Sequence, residues 1–433
     1  MFLLVTYDQD MLSMKSASYS LNYPNFTRGI DRIVLEMMNV SDWDIRLRIH
    51  GISDDQLEIL KNKISRDQMN NGYSLYIYSN SFSVSNLLRD ISKNDSLAKL
   101  SVSTTWDDDD VINIGSHLVS LSIAKPIQSA LLLSDVVMLF DVPEHNALTS
   151  LTLNSCQLTN IHIKYISEMK QLQLTALDIS DNRCTDDAID SLILMTQTMP
   201  LVNLKIVYNY ITDLGIANLI NACKSLESFD CSSSSREYHP ASSVLPVINF
   251  SGCSNLTSLL IDRFSSDKHI ICPSSLRTIS IIISATLFEL RNAELRDDFD
   301  AILKCLAGTN VDNCHIIWSR CLYPVFTYTN YMIETLRISG CMVPVLSYVE
   351  SMLDMLPNLK HVHVNESIVI RISDADSDKL TQIIREKAPQ METFTVHLYK
   401  FRIHSNTNIN LTSLCSAVMC KQCHPMMLLN NDI

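Results

Sequence analysis

One pattern, L-x-x-L-x-L, recurs along this chain at near-constant spacing. It opens at Leu148, Leu174, Leu201, Leu226 and Leu256, so the steps are 26, 27, 25 and 30 residues. Further copies begin at Leu97, Leu118, Leu276, Ile333, Leu359 and Met391, with weaker ones near residues 45 and 73. In L-x-L the two apolar side chains point to one face of a short strand and the residue between them points to the other. A strand of three or four residues cannot stand alone. Beside identical neighbours at about 4.8 Å it gains a parallel ladder and a continuous apolar interior. The spacing therefore predicts a stack of repeats.

The sharpest copies carry Leu148, Leu151 and Leu153; Leu174 and Leu177; Leu201 and Leu204. A few residues on stands Cys156, Asn182, Asn209 or, in the copy at Ile333, Cys341. An Asn amide there can satisfy inward-facing backbone groups in both directions, whereas a Cys thiol is a small hydrophobe and a weak partner. The order L-x-x-L-x-L-x-x-N/C-x-L resembles the leucine-rich repeat family. The segments that follow read as helices. Thr212 or Asp213 can cap one, with Ile216, Leu219 and Ile220 on one face; Thr185 or Asp186 can cap another, with Ile189, Leu192 and Ile193 inward. The segment 244–253 also fits the motif locally, but the next copy starts only three residues after it; Cys253 reads instead as a helix end, because it stands before Leu256 and Leu259 as Cys223 stands before Leu226 and Phe229.

Helix-backed repeats of this length resemble the ribonuclease-inhibitor-like subfamily. That resemblance implies an α/β leucine-rich-repeat solenoid, a horseshoe with parallel strands on the concave face and helices on the convex face. The expected organisation is an N-terminal flank over 1–29, a solenoid of about 12–14 repeats over 30–405, irregular at about 285–330, and a C-terminal cap or tail over 406–433. A doubly wound α/β enzyme also alternates strand and helix, but it lacks a reason for the fixed spacing and needs a Gly-rich turn that is missing here.

Composition narrows function mainly by exclusion. Only 8 glycines occur in 433 residues, all isolated and none followed by Lys, which rules out a phosphate-cradling loop. A net charge of −13 makes nucleic acid a poor partner. The most apolar stretch, Ser129–Phe140, is interrupted by Asp135 and too short to span a bilayer. The start has no basic n-region, and 13 scattered cysteines suit reduced thiols. The expected location is the cytoplasm, with the nucleus as the alternative. No cofactor is expected.

Exposed strand positions would line the binding face. The central column reads Thr152, Asp178, Lys205, Asp230 and Leu260; a flanking column ends at Asp262. These residues form either a solvated sheet with Asp178, Lys205 and Asp230 paired across strands, or a mildly acidic strip for a basic protein partner. Tyr208 and Tyr210 flank Asn209 and are either anchors or ordinary loop cover. Asp107–Asp110 is a charge run without calcium-loop spacing. His361, His363 and His397 have weak metal potential. Cys415, Cys420, Cys423 and His424 could form a small zinc knuckle; Cys420-Lys-Gln-Cys423-His424 also has haem-attachment spacing, but a structural cap is the default.

The expected function is non-enzymatic protein recognition. Asn182-Arg183-Cys184-Thr185-Asp186 and Asn209-Tyr210-Ile211-Thr212-Asp213 resemble the sensor arm of NLR-type innate immune receptors. The resemblance also allows a ubiquitin-ligase substrate receptor or a GTPase-regulating scaffold. An unrecognised enzyme is the alternative of a different class.

Overall fold

The structure, a computed structural model, describes residues 16–21, 44–49, 73–78, 97–103, 118–124, 136, 147–169, 171–232, 248–262, 270–284, 306, 309–319, 329–339, 346–365, 374–396, 399–402 and 410–413. The chain divides into two compact units: residues 1–282 with 308–310, and residues 283–307 with 311–433.

In the first unit, β1 (Ser16–Leu21) and β2 (Asp44–Ile49) form a parallel pair. A longer all-parallel sheet follows in strict chain order. Its strands are β3 (Tyr73–Tyr78), β4 (Leu97–Ser103), β5 (Ser120–Ala124), β6 (Ser150–Asn154), β7 (Ala176–Asp178), β8 (Asn203–Lys205) and β9 (Ser228–Asp230). The short pair β10 (Ile248–Asn249) and β12 (Ile270–Ile271) lies apart from it, while β11 (Ser258–Asp262) and β13 (Thr278–Ser284) continue the main sheet. This is a leucine-rich-repeat α/β solenoid: each strand pairs with the same strand of the next repeat, and the apolar positions stack. Leu148, Leu151, Leu153, Leu174, Leu177, Leu201 and Leu204 are all buried. The strands are joined sideways by a recurring bond at the residue after the leading Leu. Thr175 donates to Thr149 at 2.8 Å, Val202 to Thr175 at 2.9 Å, and Glu227 to Val202 at 2.8 Å.

The Asn position closes the turn. Asn182 is buried; its Nδ2 donates to the carbonyls of Leu153 (2.7 Å) and Ile179 (2.8 Å), and its Oδ1 accepts from Leu158 N at 2.9 Å. Asn209 repeats the arrangement one turn on. The Cys156 thiol contacts the Ile123 carbonyl at 3.5 Å and the Asn154 carbonyl at 3.3 Å. Cys341 lies outside the described residues.

The return segments are α1 (Asn160–Ser167), α2 (Ile189–Thr198) and α3 (Asp213–Ala222). Thr212 caps α3, its hydroxyl accepting from Gly215 N at 3.2 Å, and Ile216, Leu219 and Ile220 are buried. Thr185 sits at the corner before α2, ahead of a single 3-10 turn; Ile189 and Leu192 are buried, with Ile193 half-buried and Met195 completing the face. Adjacent corners are tied together. Asn160 exchanges hydrogen bonds with Thr185 at 2.8 and 2.9 Å, and the Asp186 carboxylate accepts from Thr212 N (2.7 Å) and Oγ1 (2.6 Å). That tie explains Gly215: a Cβ there would fall on the Asp186 carboxylate.

Cys253 is not a helix end. It is buried, as Cys223 at the end of α3 is, but the segment before it is β10 followed by a turn. The next repeat explains why. From Leu256 to Leu276 there are 20 residues, too few for a strand and a helix with their turns. An extended return advances about 3.3 Å per residue against 1.5 Å for a helix, so fewer residues cover the distance. A return strand needs a hydrogen-bonding neighbour, and β10 and β12 supply each other.

In the second unit, β14 (Asn313–Ser319), β15 (Thr335–Ser339), β16 (His361–Asn365) and β17 (Thr393–Val396) are parallel. The strands β18 (Tyr399–Arg402) and β19 (Asn410–Ser413) then pair antiparallel. The copy at Val311, with Cys314 and Ile316 buried in the strand positions, falls inside the stretch whose sequence departs from the pattern. The helices are α4 (Leu346–Met355) and α5 (Asp374–Lys387); Lys387 holds Glu350 at 3.0 Å and Asp354 at 2.8 Å.

Candidate functional site

The ladder register places Ser122, Thr152, Asp178, Lys205, Asp230, Leu260 and Ser280 side by side on the solvent face of the first unit's sheet. A second column reads Ser120, Ser150, Ala176, Asn203, Ser228, Ser258 and Thr278. Small hydroxyl side chains thus carpet most of the face. Asn203 and Lys205 on β8 are the exposed exceptions. Asp262 ends β11 opposite Ile282.

The aspartates do not pair with Lys205. Among the described residues no ion pair within 4 Å links it to either. Each carboxylate turns instead to the serine two residues on. Asp178 Oδ1 accepts from the backbone N and hydroxyl of Ser180, and Asp230 Oδ1 from Ser232 N at 3.2 Å and Oγ at 2.9 Å. Burial raises the Asp230 carboxyl above its ordinary value, opposed by the Ser232 bonds and by the nearby Lys205. The missed signal was the repeated D-x-S in Leu177-Asp178-Ile179-Ser180 and Phe229-Asp230-Cys231-Ser232. An Asx turn satisfies a carboxylate locally, before any neighbouring strand can.

The rim beyond the strands has its own geometry. Ser155, Asp181 and Tyr208, each one residue before the Cys or Asn of the ladder, have φ of 55°, 56° and 52°. The backbone must turn left-handed there to swing the next side chain inward. Ser155 Oγ donates to Asp181 Oδ2 at 2.5 Å, joining two of these corners. A left-handed conformation suits Asp and is an outlier for Tyr. Tyr208 is 44% exposed, so packing does not compensate. Tyr210 is half-buried, its N donating to the Cys184 carbonyl at 2.8 Å. Replacing Tyr208 by Asn, which tolerates this conformation, is expected to stabilise the chain by about 1 kcal/mol in urea unfolding. An unchanged midpoint would mean that the turn is not strained.

Four of the described thiols are poor nucleophiles. Burial pushes Cys184 and Cys314 up to about 12 and Cys253 to about 11, and it raises Cys223 as well. Among the described residues no group of three His, Cys, Asp or Glu side chains could hold a metal ion. His397, Cys415, Cys420, Cys423, His424 and Asp107–Asp110 lie outside the described residues. No helix among the described residues is long and apolar enough to cross a membrane.

No family model matches the sequence, and no curated protein does. Solved structures give matches, among them the crystal structure of an internalin from Listeria monocytogenes. It is 15% identical, with 89% of this chain and 86% of that chain covered and a TM-score of 0.34.

Proposed function

We propose that this chain recognises a protein partner, without catalysis, through the sheet face of its first unit. The observation that carries this reading is the combination on β8 and the turn after it. Asn203 and Lys205 project from a carpet of small side chains, and Tyr208 stands three residues further on, exposed in a backbone conformation that costs stability. Strain kept at an exposed aromatic is a mark of selection for contact rather than for folding. A flat hydroxyl-rich sheet lets a second backbone approach closely, and Lys205 and Tyr208 then act as the anchors. Thr152, Asp178, Asp230, Tyr210 and Asp262 are the neighbouring contacts. A net charge of −13 favours protein over nucleic acid as the partner, and free buried thiols favour a reducing compartment such as the cytoplasm. A role as the ligand-sensing arm of an innate immune receptor rests on the resemblance of the two Asn-x-x-Thr-Asp corners.

The test is affinity capture from the native cell type with the wild-type chain, Lys205→Glu/Tyr208→Ala, and Gln197→Lys on the exposed side of α2. A specific protein should be retained by wild type and Gln197→Lys and reduced roughly tenfold by the double variant. Equal retention by all three chains would remove the sheet face from the account.

A further inference from the structure

The second unit presents a face of different chemistry. The register of β14, β15 and β16 lines up His315, Arg337 and His363 in one column, with strands about 4.8 Å apart. In the adjoining column His361 stands between Thr335 and Thr393. Three imidazoles and a guanidinium therefore share one patch of a chain whose net charge is −13.

Arg337 is exposed and, among the described residues, its side chain makes no hydrogen bond or ion pair. Two acids beside the strands meet other basic groups than Arg337. Glu334 holds Lys360 at 2.8 Å, and Glu392 lies 3.8 Å from His361. His315 Nε2 meets Ser339 Oγ at 3.1 Å, and His361 Nδ1 meets Thr393 Oγ1 at 3.0 Å, so both rings are fixed by hydroxyls of the next strand. Burial, and then the charge of the neighbouring Arg337, lowers the pKa of His315. The Arg337 guanidinium thus has no ion-pair partner among the described residues, and a bound carboxylate supplies one.

We propose that the column His315–Arg337–His363 is a docking surface for an acidic segment of a partner protein, one carrying several Asp or Glu side chains. The basic groups form a line at strand spacing rather than a converging pocket. A line matches carboxylates repeated along a chain; a single phosphate needs donors gathered around one point. Arg337 supplies the fixed charge and the bidentate fork for one carboxylate, while His315 and His363 donate to those on either side. The contact is exposed, so it sets specificity and association rate more than deep affinity. The residues of this surface are other than those built around Lys205.

The experiment is fluorescence anisotropy with the full chain and a labelled oligoglutamate peptide at low salt, alongside an oligolysine peptide and a neutral peptide bearing one phosphoserine. Oligoglutamate should bind and oligolysine should not. Arg337→Gln should weaken binding roughly tenfold and His363→Gln roughly threefold. Added salt should weaken it too, and Lys205→Glu should leave it unchanged. Arg337 is exposed, so the variant should fold; circular dichroism confirms it. No binding of oligoglutamate, or equal binding by wild type and a folded Arg337→Gln, overturns the proposal. Binding of the phosphoserine peptide alone, lost in Arg337→Gln, overturns it in favour of a phosphate site.

Discussion

Replacing Asn209 with alanine should destabilise the repeats around it by about 3–5 kcal/mol. The side chain is fully buried and serves two turns of the solenoid at once. Its Nδ2 donates to the Ile179 carbonyl of the preceding repeat (2.9 Å) and to Ile206 (3.1 Å) in its own; its Oδ1 accepts from Cys184 N at 3.1 Å. Alanine strands these groups away from water, and each buried polar group left without a partner costs about 1–3 kcal/mol. Asn209→Cys should cost less than alanine, since Cys156 holds the equivalent place with two weak thiol contacts. The measurement is urea unfolding, with hydrogen exchange to locate the loss. Protection should fall between about the repeats of Asn182 and Asn209 and persist in the second unit, because repeats couple chiefly to their neighbours. A loss below that of Asn209→Cys would show that the amide is not what closes the turn.

The ladder was readable because its cause is local and recurs. Each L-x-L puts two apolar groups on one face whatever the rest of the chain does, so Leu148, Leu174 and Leu201 could be aligned without a structure. The same alignment found position 229, although Phe stands there, since burial asks for an apolar side chain rather than for Leu. Four features escaped it. Val311-x-x-Cys314-x-Ile316 carries no leucine, and its thiol sits where the pattern expects a branched side chain. Asp178 and Asp230 looked available to Lys205, because register gives the neighbouring backbone but not the competing hydroxyls of Ser180 and Ser232. The return strand β10 was hidden although 244–253 fits the motif locally, because the next copy starts only three residues later and the partner β12 lies about one repeat further on. The Arg337 column was hidden for a related reason. His315 and Arg337 are neighbours only once β14 and β15 are paired.

Where helical returns give way to strands, the interior changes size, and Phe229 is the test of how it is filled. In the sheet position that Leu177, Leu204 and Leu259 occupy in other repeats, this side chain is fully buried and meets the buried Phe250 just after β10. The ring centroids are 6.3 Å apart and the planes tilted by 52°, within the favourable range for an aromatic pair. One ring thus comes from the sheet and the other from the return strand. One repeat earlier the return contributes the buried Leu219 and Ile220 from α3 instead. Phe229→Ala should cost about 3–5 kcal/mol, the transfer of the ring plus the cavity that a rigid ladder cannot collapse. Phe229→Leu restores the common residue of the column and should cost less than about 1.5 kcal/mol if the site adjusts. Calorimetry or urea unfolding of both variants decides between packing and pattern. If leucine costs as much as alanine, the aromatic pair itself joins the two layers here, and the repeat consensus is a poor guide wherever the return is a strand.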